Sequence, residues 1–284
     1  MAPPFVTRFA PSPTGYLHRG HAFSALTAYT AAKDANGRFL LRIEDIDRTR
    51  CRPEYETAIY QDLAWLGLSW ERPVRRQSEH MEVYRAALRG LAERGLLYRC
   101  FRTRKEIAAE IERAPHGAME AWRGGPLPPP EEARRAARGE PYAWRLSLHD
   151  AERALGDLHR LTFREESSGP NGETGDIAAR PEVGGDVVLA RKDVGVAYHL
   201  AVVVDDALQG VTHVIRGQDL FEATHVQRLL QALLKLPTPI YRHHRLMAGP
   251  DGRRYAKRDR AETLHELRQA GTSAQELRRE LGFD

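Results

Sequence analysis

Near the N-terminus, the pattern of apolar residues changes from that of a strand to that of a helix and back to that of a strand. The apolar residues Phe5, Val6 and Phe9 predict a short strand, and a cluster of prolines and glycines follows it. Over residues 21–33, small and apolar side chains recur at helical spacing. Residues 38–43, Arg-Phe-Leu-Leu-Arg-Ile, predict a mostly buried second strand. Strand, loop, helix and strand in this order predict a parallel βαβ unit.

The middle of the chain changes character. Helical spacing predicts two helices, over residues 54–67 and 79–95. Residues 98–183 then hold a proline-rich run, a stretch rich in alanine and arginine, and the turn sequence Ser-Ser-Gly-Pro-Asn-Gly. This composition is typical of an insertion made of short elements and loops.

Regular patterning returns after the insertion. Apolar runs predict strands at residues 186–190, 197–206 and 211–215, and helical spacing follows over residues 222–235. Short helices are expected from residue 261 onward. Because strands and helices alternate on both sides of residues 98–183, the pattern predicts an α/β fold that is split by an insertion.

Composition narrows the class of protein. The chain has 284 residues, 42% hydrophobic and 29% charged, which is typical of a soluble globular protein. No apolar run approaches the roughly 18 residues of a membrane span. The N-terminus lacks the basic and apolar stretches of a signal peptide. Two cysteines, Cys51 and Cys100, cannot build a disulfide framework, so a reducing cytoplasm is expected. The net charge of +4 is compatible with a polyanionic partner but does not establish one.

Candidate chemistry begins in the proline/glycine cluster, Arg8-Phe-Ala-Pro-Ser-Pro-Thr-Gly-Tyr-Leu-His-Arg-Gly-His21. A turn that leads from a strand into a helix is an anion site, because unpaired N–H groups and the helix dipole face the ligand. His18 and His21 add imidazoles that can donate to phosphate oxygens, and Gly20 permits close backbone approach. The alternative interpretation of this segment is a proline-rich turn whose histidines lie on the surface and bind no ligand.

This segment resembles the first signature of the class I glutamyl- and glutaminyl-tRNA synthetases. Further stretches resemble that family in the same order along the chain. They are Leu41-Arg-Ile-Glu-Asp-Ile-Asp47, Gly185-Asp-Val-Val-Leu-Ala-Arg-Lys-Asp193, Ala197-Tyr-His-Leu-Ala-Val-Val-Val-Asp-Asp206, Ile215-Arg-Gly-Gln-Asp-Leu220 and Arg254-Tyr-Ala-Lys-Arg258. The resemblance covers nearly the whole chain.

The resemblance implies an α/β fold of the class I aminoacyl-tRNA synthetase type, with a Rossmann-type nucleotide-binding domain. The first half of that domain is expected at residues 1–97 and the second half at 184–250. An acceptor-like subdomain would occupy residues 98–183. Residues 251–284 would hold the lysine loop and a short helical region, with no anticodon-binding domain.

The resemblance also implies an activity. Only a short stretch follows Lys257, where a full glutamyl-tRNA synthetase carries a large anticodon-binding region. This is typical of the short branch of the family, whose members activate L-glutamate with ATP and transfer it to the queuosine base in the anticodon loop of tRNA(Asp). A cytoplasmic monomer without a membrane partner is expected. Two alternatives stay open: a truncated glutamyl-tRNA synthetase that charges a tRNA 3′ end, and a non-catalytic RNA-binding or regulatory paralogue.

Five residues match the family positions that hold glutamate. Arg8 and Arg216 match those that bind its carboxylates, since a guanidinium can grip a carboxylate with two hydrogen bonds. Glu44 matches the acid that faces the substrate ammonium group. Ser12 and Tyr198 match hydroxyl contacts to the same substrate.

The resemblance places His18, Gly20, His21 and Lys257 on the ATP side, with the histidines and Lys257 as catalytic residues. Mg²⁺ would accompany ATP, bound mainly by phosphates and water. Catalysis would consist mostly of positioning and cation placement.

Two departures from the family pattern stand out. Where the family has the loop pattern Lys-x-Ser-Lys, this chain has Arg254 in place of the first lysine and Ala256 in place of the serine. In the zinc pattern of the insertion, Cys100 is present but the second cysteine position is Arg102. Because tetrahedral zinc needs about four good ligands, Cys100 with His116 is not enough and no structural zinc is expected.

Overall fold

A parallel unit at the N-terminus organises the fold. The structure is a computed structural model that describes residues 4–103, 105–107, 122–191, 195–247 and 262–283. Strand β1 (Val6–Phe9) leads through helix α1 (Arg19–Asp34) into strand β2 (Arg38–Ile43), and the two strands pair in parallel. The predicted βαβ unit is therefore confirmed.

The first half continues through two helices and a short edge strand. In chain order these are α2 (Pro53–Trp65), β3 (Arg75–Arg76) and α3 (Met81–Glu93), and β3 pairs in parallel with β2. Pro53 starts α2, a position where a missing N–H costs nothing. Both helices lie where helical spacing predicts them.

The second half adds parallel strands on the other side of β1. Strand β10 (His213–Gly217) pairs in parallel with β11 (Ile240–His244), and helix α7 (Phe221–Leu234) connects them. The Thr212 N–H donates to the Val6 carbonyl at 2.9 Å, which sets β10 against β1. Since β1 has β2 on one side and β10 on the other, the chain direction across the sheet reverses at β1, and ligands bind at such a switch point.

The segment between the halves builds a second sheet. Strands β4 (Leu97–Cys100), β5 (Ala143–Leu146), β8 (Val188–Arg191) and β9 (Gly195–Val196) form an antiparallel sheet in that order. Two helices belong to the same segment, α4 (Pro129–Ala137) and α5 (Leu148–Leu155).

Strands β6 (Thr162–Glu165) and β7 (Gly175–Ala178) do not join that second sheet. They form an antiparallel hairpin, and β6 pairs in parallel with β11 at Tyr241. The hairpin thereby extends the sheet of the second half, although it falls within the stretch 98–183 that the sequence marks as an insertion. This placement brings Glu165 next to the functional site described below.

The strand predicted over residues 197–206 is wrong. Helix α6 (Tyr198–Leu208) occupies this stretch, and its residues 200–206 are all buried. A helix that is buried on all sides gives the same continuous apolar run as a buried strand, so periodicity does not separate the two. Its valines favour a strand, and packing against α3 and α7 overrides that preference.

The C-terminal helices belong to the core of the first half. Helices α8 (Leu264–Gln269) and α9 (Ala274–Glu280) each begin with a capping box, made by Thr263 with Glu266 and by Ser273 with Glu276. Buried leucines of this region pack with α1 and β2; they are Leu264, Leu267, Leu277 and Leu281. Within the residues described above, no helix is long and apolar enough to cross a membrane.

Candidate active site

A cavity of about 410 Å³ lies at the carboxyl ends of β1, β2, β10 and β11. Parallel strands and the turn into α1 converge there. Its lining includes seven of the residues that the sequence assigns to the site: Arg8, His18, Gly20, His21, Glu44, Tyr198 and Arg216. The fold therefore brings the predicted ATP side and the predicted glutamate side into one cavity.

The His18–His21 turn is the helix start that the sequence suggests. His18 is the N-cap of α1, and its Nδ1 accepts from the Gly20 N–H at 3.1 Å. The His21 Nδ1 accepts from the His18 N–H at 3.2 Å. Because Nδ1 of each ring is an acceptor, the neutral rings carry their proton on Nε2 as a donor. A Cβ on Gly20 would lie 3.0 Å from the His18 ring, so a larger residue here would displace that ring.

Arg8 reaches the cavity from β1, and Asp206 forms an ion pair with its guanidinium group. Its Nε and Nη2 donate to the two carboxylate oxygens of Asp206 at 3.0 and 3.4 Å. Its Nη1 makes no hydrogen bond to the described residues. Asp206 therefore holds the guanidinium in place, and one nitrogen of Arg8 is available to a ligand in the cavity.

Arg216, at the end of β10, is a buried cation whose hydrogen-bond partners in the described ranges are all neutral. It donates to His243 Nε2 at 3.2 Å and to Gln227 Oε1 at 2.9 Å. Its Nη2 donates to the Leu220 carbonyl at 3.1 Å and to Thr224 Oγ1 at 2.7 Å. No carboxylate of the described residues pairs with it directly. A buried charge without a counter-ion is costly, so this site favours an anionic ligand.

Tyr198 stands beside that cation at the start of α6. The Arg216 Nη1 donates to its hydroxyl across 3.5 Å, the longest of the five contacts of the guanidinium. A ligand carboxylate would replace or share this hydrogen bond, because the other four hydrogen bonds of Arg216 are shorter.

Glu44 follows β2 and faces the same cavity. Its Oε1 accepts from Arg42 Nη2 at 3.1 Å, and Arg42 also binds Asp206 at 2.7 Å. Burial raises the pKa of Glu44 above its ordinary value, against the opposing effects of Arg42 and Arg8. Burial alone would lower the pKa of Arg42, but Asp206, Glu44 and Asp205 raise it above its ordinary value. Arg42 therefore remains a cation and supports Glu44 as an acceptor.

Ser12 lines a neighbouring cavity of about 200 Å³ and is absent from the lining of the larger one. Glu44 and Tyr198 line both cavities, so they stand at the boundary between the two. The Glu44 N–H donates to the Pro11 carbonyl at 3.0 Å, which fixes the proline-rich turn across the end of β2.

Two expectations concern residues that the structure does not describe. Lys257 and the departures at Arg254 and Ala256 all lie outside the described ranges. His116 also lies outside them, whereas Cys100 is buried on β4. Across the described part of the chain, no group of three or more His, Cys, Asp or Glu side chains could hold a metal ion.

Near Cys100, arginine and aromatic side chains pack together. The Arg145 guanidinium lies 4.6 Å from the Trp122 ring centre, and that of Arg102 lies 5.7 Å from it. The Tyr98 hydroxyl donates to Asp186 at 2.7 Å. Cation–π contacts thus join Arg102 and strand β5 to Trp122, and the buried hydrogen bond joins β4 to the residues before β8.

Sequence reasoning misses four charged or titratable residues that support Arg8, Glu44 and Arg216. Asp206 and Arg42 support Arg8 and Glu44, while Glu165 and His243 lie behind Arg216. A signal exists for Asp206, because acids within an apolar run indicate a buried charge that needs a partner. Glu165 lies within a loop-rich stretch, where no pattern indicates that its strand joins the main sheet.

The sheet with its switch point and the helix-start anion site define a Rossmann-type nucleotide-binding protein. A family model described as tRNA synthetases class I (E and Q), catalytic domain, matches residues 4–282. The chain therefore belongs to that family, and the resemblance seen in the sequence is confirmed.

The relatives compared with this chain include a glutamyl-Q tRNA(Asp) synthetase and glutamate–tRNA ligases. The chain is 47% identical to the glutamyl-Q tRNA(Asp) synthetase of Rhodobacter capsulatus, over 98% of this chain and 100% of that one. It is 37% identical to the glutamate–tRNA ligase of Aquifex aeolicus, over 93% of this chain and 54% of that one. A crystal structure of a glutamate tRNA ligase from Elizabethkingia meningosepticum, in complex with its amino acid, matches with a TM-score of 0.72 and 28% identity. That match covers 90% of this chain and 52% of the other. The chain thus spans about half the length of the glutamate–tRNA ligases.

Proposed function

We propose that this protein activates L-glutamate with ATP and transfers the glutamyl group to the queuosine base of tRNA(Asp). The observation that carries the first step is the shared cavity, in which two buried arginines and Glu44 lie beside the His18–His21 helix start. The acceptor is supported by the 47% identity to a glutamyl-Q tRNA(Asp) synthetase over its full length.

In this proposal, glutamate binds between Arg8, Arg216 and Glu44. The Nη1 groups of the two arginines donate to the substrate carboxylates, one to each, and Tyr198 lies beside Arg216. Glu44 accepts from the substrate ammonium group, as an anion held by Arg42. Ser12 contacts the substrate from the side of the smaller cavity.

ATP binds against the start of α1. The Nε2–H groups of His18 and His21 donate to its phosphate oxygens, and Gly20 allows the backbone to approach. An oxygen of the glutamate α-carboxylate attacks the α-phosphorus and pyrophosphate leaves, with Lys257 following the β- and γ-phosphates. A nucleophilic group of the acceptor base then attacks the carbonyl carbon of the adenylate and AMP leaves. The protein contributes mainly positioning and cations.

Mg²⁺ enters this reaction as part of the ATP substrate, held by phosphate oxygens and water. No structural zinc is proposed, because the second cysteine position is Arg102 and its guanidinium packs on Trp122. Metal analysis of the purified protein tests this point, and a stoichiometric zinc content would contradict it.

Two assays test the proposal. Exchange of pyrophosphate into ATP is measured with glutamate, and with glutamine and aspartate as controls. Incorporation of labelled glutamate is then measured into tRNA(Asp) with queuosine, tRNA(Asp) without queuosine, and tRNA(Glu). We expect exchange with glutamate alone among these amino acids, and incorporation only into the queuosine-containing tRNA(Asp).

The other outcomes are equally informative. Incorporation into tRNA(Glu) alone would show a glutamyl-tRNA synthetase and overturn the assignment of the acceptor. Absence of exchange with every amino acid would overturn the activity itself and support a non-catalytic RNA-binding protein.

A further inference from the structure

Arg216 and two buried side chains behind it form a series of hydrogen bonds that crosses three strands. Glu165 is on β6, His243 on β11 and Arg216 on β10. The Glu165 Oε2 lies 2.6 Å from His243 Nδ1, and His243 Nε2 accepts from Arg216 Nε at 3.2 Å. Glu165 and His243 are 0% and 2% exposed, so water does not substitute for either contact.

The geometry fixes which nitrogen of His243 carries the proton. Both oxygens of the Glu165 carboxylate act as acceptors, because Oε1 accepts from the N–H groups of His243 and Ser167 at 3.0 and 2.9 Å. Facing an acceptor, Nδ1 must be the donor. Facing the Nε–H of Arg216, Nε2 must be the bare acceptor. Burial lowers the pKa of His243 below its ordinary value, in keeping with a neutral ring.

This series of hydrogen bonds stabilises the charge of Arg216 without placing a carboxylate against it. A carboxylate in direct contact with Arg216 would compete with a substrate carboxylate for the guanidinium. Glu165 places its negative charge one imidazole away instead. It stabilises the buried cation and leaves the ligand-facing Nη1 without an anionic partner.

We propose that Glu165 and His243 are positioning residues that set the orientation of Arg216 and thereby the affinity for the substrate carboxylate. This inference rests on the proposed function, since it assumes that Arg216 binds glutamate. Neither residue lines the cavity, so both act through Arg216 and not by touching the substrate.

The test is Glu165→Gln, which keeps the shape and removes the charge. If the glutamine amide points to Nδ1, it makes Nδ1 an acceptor and moves the proton of His243 to Nε2, against the Arg216 N–H. If the amide points the other way, it opposes the N–H groups of His243 and Ser167. We expect the KM for glutamate in the exchange assay to rise about tenfold or more, with the KM for ATP within about twofold of wild type.

His225→Gln is the matched control. His225 is a buried histidine on α7 whose Nδ1 accepts from the Arg180 N–H at 3.1 Å, and it makes no hydrogen bond to Arg216. A general loss of packing would change both variants alike. Equal KM values for glutamate in Glu165→Gln and wild type would overturn the inference, as would a parallel rise in His225→Gln.

A measurement on the unmodified protein keeps the inference testable if Glu165→Gln does not fold. Nitrogen-15 NMR of the histidine side chains distinguishes a protonated Nδ1 from a protonated Nε2. We expect His243 to be protonated on Nδ1 in wild type, with its Nε2 resonance shifting when glutamate is added. A protonated Nε2 in the wild type would overturn the inference. If the wild type shows no glutamate-dependent exchange, the proposed function fails, whereas the tautomer of His243 still tests the hydrogen-bond chain by itself.

Discussion

At the scale of single residues, Arg8 and Arg216 differ in what balances their charge. Arg8 has a direct carboxylate partner, Asp206, whose pKa is held below its ordinary value by Arg8 and Arg42 despite burial. Among the described residues Arg216 has neutral hydrogen-bond partners, with Glu165 one imidazole away. A ligand carboxylate therefore gains more from Arg216, because it supplies the missing counter-ion.

Arg216→Ala is expected to weaken glutamate binding strongly. One lost charge-assisted hydrogen bond costs about 1.5–3 kcal/mol, so the KM for glutamate should rise on the order of 10- to 100-fold. The KM for ATP should stay near wild type. Arg242→Ala is the control, since Arg242 lies on the neighbouring strand and pairs with Glu166 at 2.7 Å outside the cavity. Equal effects of the two variants would contradict the assignment of Arg216.

Gly20→Ala tests the other side of the cavity. The new Cβ would lie 3.0 Å from His18 Cε1 and 3.1 Å from Nδ1, so the ring must shift and its cap of the Gly20 N–H weakens. We expect the KM for ATP to rise roughly fivefold, the equivalent of about 1 kcal/mol for a weakened cap. Thermal stability should fall little, because alanine is the better helix former. An unchanged KM for ATP would show that the His18 ring does not bind the nucleotide.

At the scale of elements, the sequence predicts most of the frame and seven of the residues that line the cavity, but not the residues that support them. Helices α2 and α3 follow from periodicity, since exposed residues interrupt their apolar pattern, and β1 and β2 follow from short apolar stretches that end at turn residues. Helix α6 does not, because burial on all sides removes that signal. The hairpin of β6 and β7 is missed as well, because pairing between Glu165 and Tyr241 joins residues far apart in the chain. Residues that support the site are hidden for the same reason.

Helix α2 carries a buried acid that makes the stability of the fold depend on pH. Asp62 is 0% exposed, its carboxylate makes no hydrogen bond within the described part of the chain, and Arg268 of α8 lies 3.5 Å from it. Burial raises the pKa of Asp62 from 3.8 to about 6, although Arg268 and His265 oppose the shift. The folded state therefore holds this proton more tightly than the unfolded state, and the contribution of Asp62 to stability falls as pH rises from about 4 to about 6.

Asp62→Asn removes the charge that burial penalises. The free energy of unfolding of the variant, relative to that of wild type, should increase by about 1–3 kcal/mol as pH rises from 4 to 6. Above about pH 6 this difference should stay constant. Urea unfolding at pH 4.5 and 7.5 measures the difference. Glu54→Gln, an exposed acid of the same helix, is the control and should show no such trend. A gain that is equal at both pH values would contradict a raised pKa.

At the scale of the whole molecule, the two C-terminal helices connect the core to the side of the cavity formed by His18 and His21, the proposed nucleotide side. The Leu264 N–H donates to the Leu17 carbonyl at 2.8 Å, and Thr263 pairs with His18 as an isolated antiparallel bridge. Arg19 adds two ion pairs of 2.9 Å, to Glu262 and to Glu280. The start of α1, which carries both histidines, is therefore held against α8 and α9 as well as against its own sheet.

Leu277→Ala tests that connection. Leu277 is 0% exposed on α9 and packs in the core of the first half, so its truncation should cost about 2–5 kcal/mol of unfolding free energy. Leu208→Ala, at a 59% exposed leucine of α6, should cost less than about 0.5 kcal/mol. Below the unfolding transition of Leu277→Ala, the KM for ATP should rise more than the KM for glutamate. The loosened helices contact the His18 turn, whereas Arg216 is held by β6, β11 and α7. Equal rises in both constants would show that α9 supports the cavity as a whole and not its nucleotide side.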